Sequence, residues 1–214
     1  MVIQLVRHEM FSQQRHIYLL AFFWFIPMTG FFTNGAPIQH ISLLILLAGW
    51  LASSAVYYEQ PALINTLPVT RKKIIVAKYL TPLAWFIPAA VLVSFYVFLF
   101  VTFAPFTSRL MTGWDILLAL AGLYLLMSLF YPLHIAFGYI PAILITTVTV
   151  LALSIGVQMV MNIYHNPRID SVDGLVETIM ANPNAFILLF AGISLLVAFL
   201  SFALAIKLYE RKDL

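Results

Sequence analysis

The sequence predicts an all-α polytopic membrane protein with six transmembrane helices, an N-terminal interfacial helix and a short external amphipathic helix between spans five and six. Three observations lead there. The first is composition: the 214 residues are 63% hydrophobic and 9% charged, with a mean hydropathy of +1.01, whereas soluble globular chains are about 45–50% apolar and about 25% charged. A disordered chain would be charged and poor in aromatics, but 15% of these residues are Phe, Trp or Tyr. The second observation is where charges do not occur. Residues 16–58, 79–108, 116–167 and 178–206 hold no Asp, Glu, Lys or Arg. A charge at the centre of a membrane helix costs about 2.5–3.5 kcal/mol on insertion scales, so such gaps mark burial in lipid. The third is length: the gaps divide into spans of about 20 residues and leave no room for a separate soluble domain. Residues 1–214 therefore read as one transmembrane domain.

The first fifteen residues include Glu9, and the apolar stretch after them is bulky and aromatic (Phe22-Phe23-Trp24-Phe25) with no small-residue cleavage site, so a removable signal is not expected. Within residues 1–16, Val2, Ile3, Leu5, Val6 and Met10 fall near one helical face with Arg7 and Glu9 elsewhere, which suits a short helix in the membrane interface. The gap from 16 to 58 is too long for one helix and breaks at Thr33-Asn34-Gly35-Ala36-Pro37, a turn composition. Spans one and two are expected over 17–34 and 40–58. Span three covers 79–103 and ends before Pro105. The gap from 116 to 167 breaks at Tyr131-Pro132 and again near Gly138–Pro141, giving span four at 114–132 and span five at 141–163. Span six covers 185–206.

Orientation follows from the eleven Lys and Arg residues. With six spans, Arg7, Arg15, Arg71, Lys72, Lys73, Lys78, Lys207, Arg211 and Lys212 share one side, and only Arg109 and Arg168 lie on the other. Both termini and the 59–78 loop are thus expected in the cytoplasm. The net charge of +3 is accounted for by topology, and a nucleic-acid partner has no support.

Between spans two and three, residues 59–78 mix one acid, a short apolar stretch (Leu63, Ile64, Leu67, Val69), a Leu67-Pro68 pair and a basic cluster. Thr70 is placed to cap a helix that runs through Lys78 into span three. The segment reads either as a charged loop that only sets topology or as a docking element for a cytoplasmic partner. In the 164–184 loop, Val172, Leu175, Val176, Ile179 and Met180 recur at i, i+3, i+4, i+7, i+8, the spacing of one helical face. Ser171 suits its N-cap and Asn182-Pro183 its stop. That helix either rests on lipid or forms an outer lid. In span five, Thr147, Ser154, Gln158 and Asn162 fall on one side of a helix, either gluing helices together or lining a path. In span six, Ser194, Ala198, Ser201 and Ala205 form a small-residue stripe suited to close packing.

Several chemistries lack their residues. With no Cys there is no disulfide, thiolate metal site or cysteine nucleophile. His8-Glu9 is not followed by a His at the zincin spacing, no G-x-x-x-x-G-K-[ST] occurs, and His40 and His134 lie near span ends as interfacial side chains. No span carries a carboxylate at mid-depth, where ion-coupled carriers often keep one. Any transport is therefore expected to draw its energy from elsewhere than an ion coupled within these spans, and no metal or catalytic site is expected.

The run Leu67-Pro68-Val69-Thr70-Arg71-Lys72-Lys73-Ile74-Ile75-Val76-Ala77-Lys78-Tyr79-Leu80, preceded by Glu59 after span two, resembles the signature of the bacterial ABC-type-2 exporter permeases. Small members carry a Leu-Pro-Val-Ser/Thr-Arg run, two variable residues, an apolar pair and Lys-Tyr/Phe-Leu leading into span three. Val69-Thr70 stands here for the commoner Val-Ser. The resemblance implies a permease subunit of the bacterial cytoplasmic membrane, paired with a second permease chain (identical or sister) and driven by separate ABC ATPase subunits. ATP and Mg belong to that ATPase, and no cofactor is bound by this chain. It also implies ATPase coupling through Leu67, Pro68, Thr70, Arg71 and Lys72 with Glu59 at the hinge, a path along Thr147, Ser154, Gln158 and Asn162, and an outer gate at Val172, Leu175, Val176 and Ile179. Its substrate would be amphipathic or lipophilic: a peptide such as an antimicrobial or cytolytic one, a toxin, an antibiotic or a lipid-like molecule. The competing class is a membrane sensor or scaffold that docks the same ATPase and moves nothing.

Overall fold

The computed structural model describes residues 2–11, 37–57, 70–103, 109–164 and 182–211, all of them helical apart from short connections. The expected first span, the segment 59–69 with Glu59, Leu67 and Pro68, and the external helix with Val172, Leu175, Val176 and Ile179 lie outside these residues. The helices are α1 (Val2–Phe11), α2 (Pro37–Tyr57), α3 (Arg71–Phe103), α4 (Gly113–Phe137), α5 (Tyr139–Tyr164) and α6 (Pro183–Glu210). Four of them, over His40–Tyr57, Arg71–Phe103, Gly113–Phe137 and Pro183–Glu210, are long and apolar enough to cross a membrane. Large apolar side chains on the outer surface, among them Ile87, Val91 and Phe95 of α3 and Leu195, Phe199 and Leu200 of α6, form a face that fits lipid rather than water.

α4 differs from its expected extent. It passes through Tyr131-Pro132 and ends at Gly138, so the expected break at 132 is not there. Proline removes one backbone donor, which leaves the carbonyl four residues earlier, that of Ser128, without its helical partner. The Ser201 hydroxyl of α6 donates to that carbonyl at 2.6 Å, and a neighbouring helix that resatisfies the backbone is what lets a membrane helix keep its proline. The real break is Gly138, whose φ of 89° suits a residue without Cβ. Its N–H donates to the His134 carbonyl and its own carbonyl accepts from Ala142 N–H, so one residue closes α4 and opens α5. α3 likewise contains Pro82 and Pro88 without breaking.

Contacts fix the relative directions. Ser194 Oγ donates to the Ala121 carbonyl at 2.6 Å, and the Ser201–Ser128 bond repeats it seven residues further along both chains, so α4 and α6 run parallel. The four buried residues of α6 are Ser194, Ala198, Ser201 and Ala205, the stripe read from the sequence. α2 also runs parallel to α4: a Cβ on Gly122 would come within 2.6 Å of Ile45 Cδ1, and one on Gly49 within 2.8 Å of Leu126 Cδ2. α3 runs antiparallel to α6, Arg71 reaching Glu210 and Tyr79 reaching Ser201. The core between these helices is Leu44, Ala48 and Leu51 of α2, Ile75, Ala89 and Val93 of α3, and Leu123, Met127, Phe130 and Tyr131 of α4.

α1 packs on α3 with a face unlike the one its apolar residues suggest. Leu5 and Glu9 are its buried residues, while Ile3, placed on the apolar face by the sequence, is exposed. Glu9 was expected off the buried face and is inside.

Candidate functional site

The end of the molecule that carries Arg71 is built from the start of α3 and the end of α6. α3 begins at Arg71, with Thr70 at the capping position the sequence assigned to it: the Thr70 carbonyl accepts from Lys73 N–H at 2.9 Å and from Ile74 N–H at 3.4 Å. Thr70, Arg71, Lys72 and Lys73 are exposed, and the helix turns inward at once with Ile74, Ile75, Ala77 and Lys78 buried. The Arg71 guanidinium donates to the carbonyls of Glu210 at 2.9 Å and Tyr209 at 3.5 Å. The last carbonyls of a helix lack intrahelical donors and carry its partial negative charge, so a cation there satisfies both demands. Of the expected coupling residues, the structure thus brings Thr70, Arg71 and Lys72 together on one exposed helix start, and it gives Arg71 an intramolecular task as well.

Lys78 does not belong to that exposed cluster, contrary to the sequence reading that grouped it with Arg71, Lys72 and Lys73. It is 3% exposed, and it faces Glu9 of α1, itself 4% exposed. Lys78 Nζ lies 3.9 Å from Glu9 Oε1, and the Thr81 hydroxyl donates to Glu9 Oε2. The result is a buried ion pair two turns into a helix that continues as a candidate span, its carboxylate contributed by α1 and not by a span. The spacing held a partial signal: Lys78 falls four residues after Ile74 and three after Ile75 and before Thr81, all on one helical face. Nothing in the sequence, however, points from Lys78 to Glu9.

A polar seam continues deeper. Tyr79 Oη and Ser201 Oγ are 2.5 Å apart. Because the single Ser201 proton is committed to the Ser128 carbonyl, which can only accept, Tyr79 is the donor. Tyr124 Oη donates to the Tyr79 carbonyl at 3.2 Å. The Tyr79 ring leans on Tyr131 with centroids 5.0 Å apart and meets Phe202 edge-on. The chain thus ties α3, α4 and α6 together through hydroxyls aimed at backbone.

Of the span-five residues, Thr147 is exposed on α5 and its neighbour Thr146 is buried, so Thr147 is not packed between the described helices. Ser154, Gln158 and Asn162 lie on the helical backbone of α5, on the line their spacing gives.

At the opposite end, α4 opens with a capping box the sequence reading passed over. Asp115 accepts from Thr112 N–H at 2.7 Å and from the Thr112 hydroxyl at 2.8 Å, and Arg109 grips both Asp115 oxygens at 2.7 and 2.9 Å. The hydrogen bonds to Asp115 hold the Arg109 guanidinium above its usual range. The signal was present as Thr112-x-x-Asp115 ahead of an apolar run.

A family profile described as ABC-2 family transporter protein matches residues 4–210, from the first turn of α1 to the last residue of α6. No curated protein and no solved structure matches the chain. A match over nearly the whole length, on a chain whose apolar helices are built for a bilayer, places it: the protein belongs to the ABC-2 transporter family, a membrane permease subunit of the kind that associates with an ABC ATPase.

Proposed function

We propose that this chain is the membrane half of an ATP-driven exporter in a bacterial cytoplasmic membrane, carrying an amphipathic or lipophilic substrate outward. The observation that carries the coupling part is the continuity of α3. One unbroken helix of 33 residues, about 50 Å long, leads from the exposed Thr70–Lys73 start into the core of the bundle. Force applied to that start reaches the buried Ile75, Ala77 and Lys78 before the first proline of the helix, Pro82. The ATPase grips the segment before and at this start, through Leu67, Pro68, Thr70, Arg71 and Lys72, with Glu59 at the hinge. ATP and Mg bind the ATPase, and this chain binds no cofactor and has no catalytic site of its own.

In this reading both termini and residues 59–78 face the cytoplasm and the chain crosses six times. The parallel course of α4 and α6 supports that count, because two parallel spans need one return crossing between them, and α5 with 26 residues is long enough to make it. A second permease chain, identical or a sister, completes the path. Thr147, directed away from this chain's own core, then lines the path with Ser154, Gln158 and Asn162, and Val172, Leu175, Val176 and Ile179 form the outer gate. Aromatic-rich spans suit a peptide, toxin, antibiotic or lipid-like cargo better than a sugar or an ion.

The test is reconstitution of the purified complex with its ATPase in lipid vesicles. Substrate should stimulate ATP hydrolysis, and an antimicrobial or lipid-like probe should cross the membrane only with ATP. Leu67→Asp with Lys72→Glu should release the ATPase at least tenfold more readily, read by co-purification. An intact complex with normal export in that variant would sink the coupling assignment. ATP hydrolysis in a bound ATPase with no movement of any probe would leave the sensor or scaffold reading.

A further inference from the structure

The attachment of α1 has a chemistry that its length does not explain. A helix of 10 described residues is marginal alone in water, so the groups it packs against bear on where it sits. Two of its residues are buried, Leu5 and Glu9, so half of its fully buried face is a carboxylate. That carboxylate meets two groups on one face of α3: Lys78 Nζ at 3.9 Å and the Thr81 hydroxyl, three residues apart and therefore side by side. All three residues are at most 4% exposed. Apolar contact alone would let a short helix roll or slide on its neighbour at little cost. An ion pair shielded from water does not, because rolling α1 would strand a buried charge on each helix. The grip sits about 10 Å, two turns, along α3 from Arg71, on the same unbroken helix.

We propose that Glu9 is a positioning residue that locks α1 to α3 through Lys78 and Thr81, so that the two helices move as one rigid unit when the Arg71 end is displaced. This rests on the permease reading for its use, but the lock itself is a property of the chain. It makes the outward side of α1, where Gln4, Arg7, His8 and Phe11 line a shallow groove, travel with the coupling helix instead of staying behind in the interface.

The chain has no native cysteine, so spin labels at Gln4→Cys and Lys73→Cys, both on exposed positions, report the α1–α3 distance without background. In the full chain bound to its ATPase in nanodiscs, the expected result is one narrow distance, unchanged between the nucleotide-free and vanadate-trapped states. Glu9→Gln and Lys78→Met should each broaden it, and the exchange Glu9→Lys with Lys78→Glu should narrow it again. Substrate moved per ATP hydrolysed should fall several-fold in the single variants and recover in the exchange, a ratio that loss of folded protein alone leaves unaltered. Thr81→Val, which keeps the ion pair, serves where Glu9→Gln does not reach the membrane, and should broaden the distance part of the way. A distance that changes between nucleotide states in the otherwise native chain, or stays narrow in Glu9→Gln, overturns the proposal. If the native complex moves no substrate, the permease reading fails separately. The distances in the ATPase-free chain then decide the lock: narrow in the native chain and broad in Glu9→Gln supports it, narrow in both rejects it.

Discussion

Single hydroxyls decide how α6 meets α4, and the two serines of the seam are not equivalent. The Ala121 carbonyl that Ser194 approaches stands where the following helix turn also supplies a backbone donor. The Ser128 carbonyl that Ser201 approaches has no such donor, because residue 132 is proline. Ser201 also accepts from Tyr79. Interhelical hydrogen bonds in membranes average about 0.6 kcal/mol and reach about 1.7. Ser201→Ala should therefore lie near the upper figure and Ser194→Ala near the lower, measured as loss of stability in detergent unfolding. Equal losses would mean that the proline-freed carbonyl does not matter. The stripe itself was visible in the sequence as Ser194, Ala198, Ser201 and Ala205 at helical spacing. Its partners were not, because spacing along one helix carries no record of which neighbour it faces.

At the scale of elements, close approach of helices depends on residues without side chains at the crossing. α2 meets α4 where Gly49 faces Leu126 and Gly122 faces Ile45. A methyl group on Gly122 would press on the tip of a flexible side chain that can move aside, and it would gain about 1 kcal/mol of helix propensity over glycine. Gly122→Ala should therefore be near neutral. Gly122→Leu has nowhere to put its extra atoms and should cost about 1–3 kcal/mol, the usual range for overpacking. Thermal stability of the two variants, with the native chain beside them, distinguishes this crossing from a loose one. The helix limits teach a related lesson. Pro132 and Gly138 both look like breaks in the sequence, yet only Gly138 ends a helix. A proline costs one hydrogen bond that another helix can replace, whereas the turn at 138 needs a positive φ that no neighbour can supply.

For the whole molecule, charge sets the frame. Arg71, Lys72 and Lys73 gather at one end with Lys207 and Arg211, and Arg109 is held by Asp115 at the other. Cysteines at Lys73 and Leu110, both exposed, should label from opposite sides of the membrane in intact cells with an impermeant maleimide, Lys73→Cys only after permeabilisation. Labelling of both from outside would overturn the proposed orientation. A cytoplasmic Lys73 with an external Leu110 establishes the single crossing along α3 and puts the loop that meets the ATPase on the cytoplasmic side.

The sequence by itself determined that the chain lives in a bilayer, about where the described apolar helices run, and that the helix following Thr70 leads straight into the third expected span. These are one-dimensional properties: hydropathy and the exclusion of charge from lipid act on every window of the chain whatever its neighbours are. Only the tertiary structure decided that Lys78 leaves the basic cluster to pair with Glu9, that Arg71 closes the end of α6, and that α4 continues past Pro132. Each of these depends on a group dozens of residues away supplying a countercharge or a hydrogen-bond partner where water is absent, and such a partner comes within reach only once the helices have packed.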